Sequence, residues 1–270
     1  MKRRPRKTDQ SKLRPKGARG RGALSETNHR RPGRPTGAEN GLINRQVIIA
    51  VAFQLARAVS LRELSIVKVA RELGVTPALI HYYLEGRNAL TSGVMNAFYR
   101  EVVEDWPPPV SAWKDNLEVV AHSVYRSFIR YPGVASYVVS HNRFRMVQEV
   151  RDGEADYGIL FFEKFTSTVR AAGFDAVRTG LYAHLLMDFI VANAHATVRH
   201  RWPGEHGDFL SKKLAELDPV EFPGAHFVRE SFTRMNASSA FTIGLGLFLQ
   251  ALQHEREKVA QNELEKPASS

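Results

Sequence analysis

The sequence predicts an all-α protein in which a three-helix head containing a helix-turn-helix precedes a larger helical body. Three observations predict it. Apolar residues recur at i, i+3, i+4 and i+7 in Ile48, Val51, Ala52 and Leu55 and again in Ile66, Val69, Ala70 and Leu73, the spacing of one buried helical face. Between the second of these helices and the next lies Gly74-Val75-Thr76-Pro77, a helix stop followed by a helix start. No stretch of any length alternates apolar and polar residues as a half-buried strand would.

Ahead of the first helix, residues 1–40 carry 13 Lys and Arg against three acids, Asp9, Glu26 and Glu39. The whole chain has a net charge of +10, so this arm holds all of its excess. Poor in apolar residues and rich in Pro and Gly, such an arm cannot bury enough surface to fold alone and is expected to be disordered. It has no apolar h-region for secretion. Leu13 and Leu24 are its only large aliphatics besides Met1, too few for the amphipathic face of a transit peptide. A polyanionic partner suits it better. In Arg30-Arg31-Pro32-Gly33-Arg34-Pro35 an extended, proline-stiffened backbone presents Arg31 and Arg34 to a narrow minor groove. A merely solubilising tail is the plain alternative.

In the head, Ser65 can cap the second helix and Gly74 can end it in the left-handed conformation. Thr76 can cap the third helix, with Pro77 at its first position. That helix runs to about Leu84, with Ile80 and Leu84 inward, so Ala78, His81 and Tyr82 point away from the core. Alanine can meet a thymine methyl, while histidine and tyrosine reach phosphates or base edges. An ordinary helical hairpin would share the Gly-turn pattern. The basic arm directly upstream favours DNA binding.

Residues 52–90, AFQLARAVSLRELSIVKVARELGVTPALIHYYLEGRNAL, resemble the DNA-binding domain of the TetR family of transcriptional repressors. The agreement lies in Leu64 to Val75, the short third helix, and Gly86, Arg87 and Leu90 at the start of the next. The resemblance implies that Thr76, Pro77, Ala78 and Tyr82 face a major groove. It places His81 where the family usually has a phosphate-contacting tyrosine, and Arg87 where a lysine meets the backbone. Ser65, at the start of the second helix, joins this DNA-facing set. Val67 stands where some members carry a base-reading arginine, and Ser60 where a glycine is usual.

Arg87 to Trp106 predicts a long fourth helix, stopped by Pro107-Pro108-Pro109. The resulting division is an arm at 1–40, a head with its linker helix at 41–106, and a ligand-binding and dimerisation body at 107–270. Further helices are expected at 112–131, 134–141, 142–172 (interrupted near Asp152-Gly153), 175–200 and 237–261, with loops and short helices over 202–232. Residues 241–249, FTIGLGLFL, are similar to the last helix of the tetracycline-repressor branch. The resemblance implies that this helix and the one from Asp175 build a four-helix dimer interface; packing within one chain is the alternative.

A sensing pocket would lie among the helices between Ala112 and His200. Its apolar or aromatic candidates are Tyr125, Phe144, Phe161, Phe165, Leu185 and Phe189; its polar ones are His122, Asn142, Asp188 and Asn193. Any one of these also fits a plain core role. The tetracycline branch usually reads a metal-bound drug through a histidine in an HRDG-like turn. Here that turn is Arg130-Tyr131-Pro132-Gly133, which argues against a magnesium–tetracycline ligand.

Nothing points to catalysis. Cysteine is absent, and no nucleophile elbow, P-loop or dinucleotide-binding glycine motif occurs. His200, Glu205, His206 and Asp208 match no zinc or calcium spacing and fit an exposed loop, so neither metal nor cofactor is expected. No segment has the roughly 20 apolar residues of a membrane span. The expectation is a soluble, cytoplasmic, nucleoid-associated homodimer that binds double-stranded DNA and an effector of unknown identity. Repression is the family's default, and activation also fits. The other readings are an architectural DNA-binding protein dominated by the arm, and a helical enzyme.

Overall fold

The computed structural model describes residues 43–140, 150, 151 and 153–264. Arg31, Arg34, Asn142 and Phe144 lie outside the described residues. The described chain belongs to one compact unit that begins at Leu42. It is built from α1 (Arg45–Leu55), α2 (Ile66–Glu72), α3 (Pro77–Tyr83), α4 (Arg87–Glu104), α5 (Trp113–Arg130), α6 (Pro132–Ser140), α7 (Tyr157–Arg170), α8 (Ala176–Val198), α9 (Gly207–Ala215), α10 (Pro223–Thr233) and α11 (Ala237–Leu264). A 3-10 turn at Pro203–His206 precedes α9, and no strand occurs among the described residues.

In the head, Asn44 caps α1 by accepting from the Val47 N–H at 2.9 Å. The buried face of α1 is Ile48, Ile49, Ala52, Phe53 and, just beyond the helix, Ala56, rather than the expected Ile48, Val51, Ala52 and Leu55. The difference has a physical cause. α1 packs on α4 as well as α2, and the Phe53 ring stacks on Tyr131 at 4.3 Å, so the buried stripe turns toward those neighbours. Val51 and Leu55 are left half-buried. Ser65 caps α2 through the Lys68 N–H at 3.2 Å. Gly74, at φ +66°, then lets the Val75 N–H turn back onto the Ala70 carbonyl at 2.9 Å.

α4 leaves the head and packs against α7, while α5 packs on α8 and α6 on α8. The core between them is aromatic: Phe98 meets Phe128 at 4.9 Å, and Tyr99 stacks on Phe161 at 5.1 Å. α7 starts at Tyr157, capped by Asp156, after the interruption expected near positions 152 and 153. Residues 150, 151 and 153–156 are not helical. They are held by tertiary bonds that compete with helix formation: Glu154 pairs with Arg45 at 2.5 Å, and the Ala155 carbonyl accepts from Asn96 at 3.1 Å.

The segment after α8 contains α9 and α10, which pack on each other and on the 3-10 turn. It returns to the body through the Gly204 N–H donating to the Met235 carbonyl at 2.9 Å. α11 then lies against α5 and α8. Among the described residues no single helix is long and apolar enough to cross a membrane. α10 and α11 together satisfy length and composition but meet at 114°.

Candidate functional site

The third helix gives the head its outward face. Thr76 caps α3 by accepting from the Leu79 N–H at 3.4 Å, and Pro77 occupies its first turn. Ile80 and Leu84 are fully buried, which leaves Thr76, Pro77, Ala78, His81 and Tyr82 exposed; Tyr82 is 81% exposed. Its ring meets that of Tyr83 edge-on at 5.1 Å. Val67 is also exposed on α2. Ser65 and Thr76 both spend their hydroxyls on helix capping.

Arg87 opens α4 after Gly86, and its guanidinium donates to the Arg62 carbonyl in the α1–α2 link. It therefore ties α4 to the head, a use the sequence did not suggest. Ser60 sits comfortably in that link without a positive φ, and its carbonyl accepts from Glu63 and Leu64 at 2.8 and 3.0 Å.

A second junction joins the head to the body at the very turn where the sequence lacks the HRDG histidine. Tyr131 is fully buried. Its hydroxyl donates to Glu101 Oε2 at 2.5 Å and accepts from Arg57 Nη2 at 3.3 Å. The Arg57 guanidinium also lies 5.1 Å from the centre of the Tyr131 ring. Arg130 extends the network to Glu101 at 2.6 Å and Asp105 at 3.4 Å. Burial, reinforced by the bond to Glu101, holds the Tyr131 phenol above its ordinary pKa, so it remains a donor. Next to it, the Gly133 N–H donates to the Ala56 carbonyl at 3.0 Å. A Cβ on Gly133 would sit 2.1 Å from the Val59 carbonyl oxygen, so only glycine permits this approach. Arg57, Glu101, Tyr131 and Gly133 were not singled out as functional by the sequence, because their meeting depends on three separate elements.

The predicted effector residues fall into separate groups. Three gather beneath α11. Phe241 stacks on Tyr125 at 3.8 Å, lies parallel to Phe189 at 5.5 Å, and meets His122 edge-on at 5.1 Å. The Tyr125 hydroxyl bonds Thr197 Oγ1 at 2.9 Å, which also accepts from Trp202 Nε1 at 3.0 Å. Asn193 donates to the Phe189 carbonyl at 2.7 Å. Burial, opposed by Glu118 and aided by Arg126, lowers the His122 pKa, so its ring is neutral at physiological pH. Gly244 is explained here, since a Cβ would lie 2.8 Å from the Phe189 ring.

Phe161 and Phe165 are buried elsewhere, in the α4–α7 contact with Tyr99 and Trp106. Leu185 and Asp188 do not join an interior pocket at all. Leu185 is 45% exposed on α8, and Asp188 is exposed beside His184 at 3.4 Å. The helical period puts them opposite the buried Leu186, Met187 and Ile190.

The loop histidines bond locally. His200 Nδ1 meets Glu205 Oε2 at 2.7 Å, and His206 Nε2 meets the His200 carbonyl at 2.7 Å. Among the described residues no group of three or more His, Cys, Asp or Glu is placed to hold a metal ion.

Residues 107–256 match the family of tetracyclin repressor-like C-terminal domains. The fold is similar to that of ActR from Streptomyces coelicolor without ligand, with a TM-score of 0.67, 20% identity, and coverage of 80% of this chain and 98% of that one. It is similar to the transcriptional regulator SCO7222 of the same organism, with a TM-score of 0.61, 20% identity, and coverage of 78% and 97%. ActR solved in complex with actinorhodin matches with a TM-score of 0.65, 21% identity, and coverage of 78% and 96%. No curated protein matches the chain in sequence at a significant level. A family match spanning more than half of the chain, on a body carried by a helix-turn-helix head, settles the kinship: the protein belongs to the TetR family of transcriptional regulators.

Proposed function

We propose that the protein is a homodimeric one-component regulator, with arm, head and body at 1–40, 41–106 and 107–270, that reads a palindromic operator and is released from it by a small molecule. The observation that carries this reading is the outward face of α3, where Ala78, His81 and Tyr82 stand free above the buried Ile80 and Leu84. In each subunit α3 enters a major groove, and Arg31 and Arg34 of the basic arm follow the adjacent minor groove. Repression is the expected outcome, in the cytoplasm at the nucleoid.

Apolar side chains left in solvent support the dimer. Val177, Leu181 and Leu185 form a stripe on α8, and Ile243 and Leu247 form one on α11. Two copies pairing these stripes around a two-fold axis would match a palindromic site. The effector is an apolar or aromatic small molecule. A related fold, ActR, has been solved with actinorhodin and with (S)-DNPA. Binding releases DNA only to the extent that the effector prefers the conformation whose two heads no longer fit the half-site spacing.

The test is selection of random duplex DNA on the full-length dimer at physiological salt, repeated after deletion of residues 1–40. Enrichment of a palindrome by both proteins, more weakly by the shorter one, supports the reading. The arm's charge favours one competing account, an architectural protein that grips phosphates. It predicts steep salt dependence, no motif, and loss of all binding with the arm.

A further inference from the structure

We infer that Tyr99 is the hydrogen-bonding contact for a flat aromatic effector that carries a neutral carbonyl oxygen and is held against the ring wall of α4 and α7. The inference deepens the effector response proposed above and rests on it.

Tyr99 is 3% exposed, in the last third of α4. Tyr131 and Tyr125, its buried counterparts, have bonded hydroxyls, to Glu101 and Thr197. The Tyr99 hydroxyl has no hydrogen-bond partner among the described residues; its recorded neighbours are rings, Phe98 at 5.3 Å and Phe161 at 5.1 Å. A phenol buried without a partner is unfavourable, and such a group in a folded protein calls for an explanation. Phenylalanine would fill the same space without the polar atom.

The surroundings specify what the partner would be. Phe161 lies nearly parallel to Tyr99, at 27°, and to Phe165, at 22°, and Trp106 meets its edge at 6.1 Å. Stacked rings of this kind accept another flat aromatic ring at an offset. Burial alone raises the Tyr99 phenol far above its ordinary pKa, with no charged neighbour contributing, so it stays protonated and donates. The acceptor is then neutral, because a carboxylate placed there would be desolvated without a counter-cation. A carbonyl oxygen on an aromatic framework meets both conditions.

The position also couples binding to the head. Arg87 on the same helix bonds the Arg62 carbonyl of the α1–α2 link, about 18 Å from Tyr99 at the helical rise per residue. Glu101, two residues beyond Tyr99, is the acceptor for Tyr131. A ligand that engages Tyr99 therefore acts on the helix that holds both junctions.

The test titrates full-length wild type and Tyr99→Phe with 9-fluorenone and with fluorene, which differ by the carbonyl, following tryptophan fluorescence. Wild type should bind fluorenone about tenfold more tightly than fluorene. Tyr99→Phe should lose that preference while keeping its affinity for fluorene. Without ligand, Tyr99→Phe should unfold at the same or a higher temperature than wild type, since it removes an unpaired polar atom. Retention of the preference in the variant, absence of fluorenone binding by wild type at millimolar concentration, or a lower unfolding temperature of the unliganded variant would each overturn the inference. No DNA enters these titrations. If a palindrome is selected but the preference is missing, the site fails and the regulator stands; the reverse result leaves the site and removes the regulator.

Discussion

Tyr131 donates its hydroxyl to Glu101 at 2.5 Å while its ring is stacked on Phe53, so one side chain links α1 of the head, α4 and the α5–α6 turn of the body. Tyr131→Phe keeps the stack and removes the bond. Glu101 retains Arg130, so the expected loss is about 1–2 kcal/mol of stability. It should be read as a lower urea midpoint with an unchanged slope. If the junction transmits effector binding, the variant should also lose part of the difference in DNA affinity between free and effector-bound protein.

Gly133→Ala attacks the same junction through the backbone. Its Cβ would lie 2.1 Å from the Val59 carbonyl oxygen and 2.6 Å from that of Ala56, and neither can move as a flexible side chain would. The head must shift from the body, at a cost of about 1–3 kcal/mol or more. A Gly133→Ala protein as stable as wild type would show that this contact is looser than its geometry indicates.

Thr76 and Tyr82 separate folding from recognition on one helix. Thr76→Ala removes the α3 cap and should cost about 1 kcal/mol of stability. Tyr82→Ala touches no core and should change stability by less than about 0.5 kcal/mol. On the proposed function it should nevertheless weaken binding to the selected DNA by about tenfold. Equal DNA affinity of wild type and Tyr82→Ala would remove α3 from the interface.

His122 and His195 give the body a pH response of defined sign. Burial lowers both pKa values, with Arg201 and Arg199 adding to the effect at His195. The unfolded chain therefore binds protons that the folded chain refuses, and stability falls as the pH drops below about 6.5. Replacing both residues, His122→Gln with His195→Gln, should flatten the fall in thermal midpoint between pH 7 and pH 5. An equally steep fall in the double variant would assign the effect to other groups.

Leu247→Glu tests the proposed pairing of two copies. Leu247 is 63% exposed on α11, beside the buried Leu245 and Leu249, so the substitution should leave the fold intact. Sedimentation should show a monomer in place of a dimer, with much weaker binding to a palindrome. A Leu247→Glu dimer as tight as wild type would put the interface elsewhere.

The third helix and its outward face were legible in the sequence because their determinants are local. Ser65, Gly74, Thr76 and Pro77 fix helix ends through bonds to residues a few positions away, and the spacing of Ile80 and Leu84 decides which side of a short helix faces out. The candidate effector residues were legible only as a pool of suitable side chains. Composition could not separate His122, Tyr125 and Phe189, gathered around Phe241, from Phe161 and Phe165 on α7 or from Leu185 on the surface. Phe241 itself was read as part of a dimer helix, with packing inside one chain as the alternative, and its ring packs inside the chain.

By itself, then, the sequence determined the helical class, the helix-turn-helix and its outward face, and the asymmetric placement of charge, all of which depend on periodicity, capping and composition. Tertiary structure decided the rest. It turned the buried face of α1 toward α4 and Tyr131, and it held the residues just before α7 out of the helix through Glu154 and Ala155. It also assembled Arg57, Glu101, Tyr131 and Gly133 into one junction and left the Tyr99 hydroxyl buried without a hydrogen-bond partner among the described residues. These outcomes depend on which distant segments meet, and residues 74 positions apart, such as Arg57 and Tyr131, leave no periodic trace of their contact in the chain.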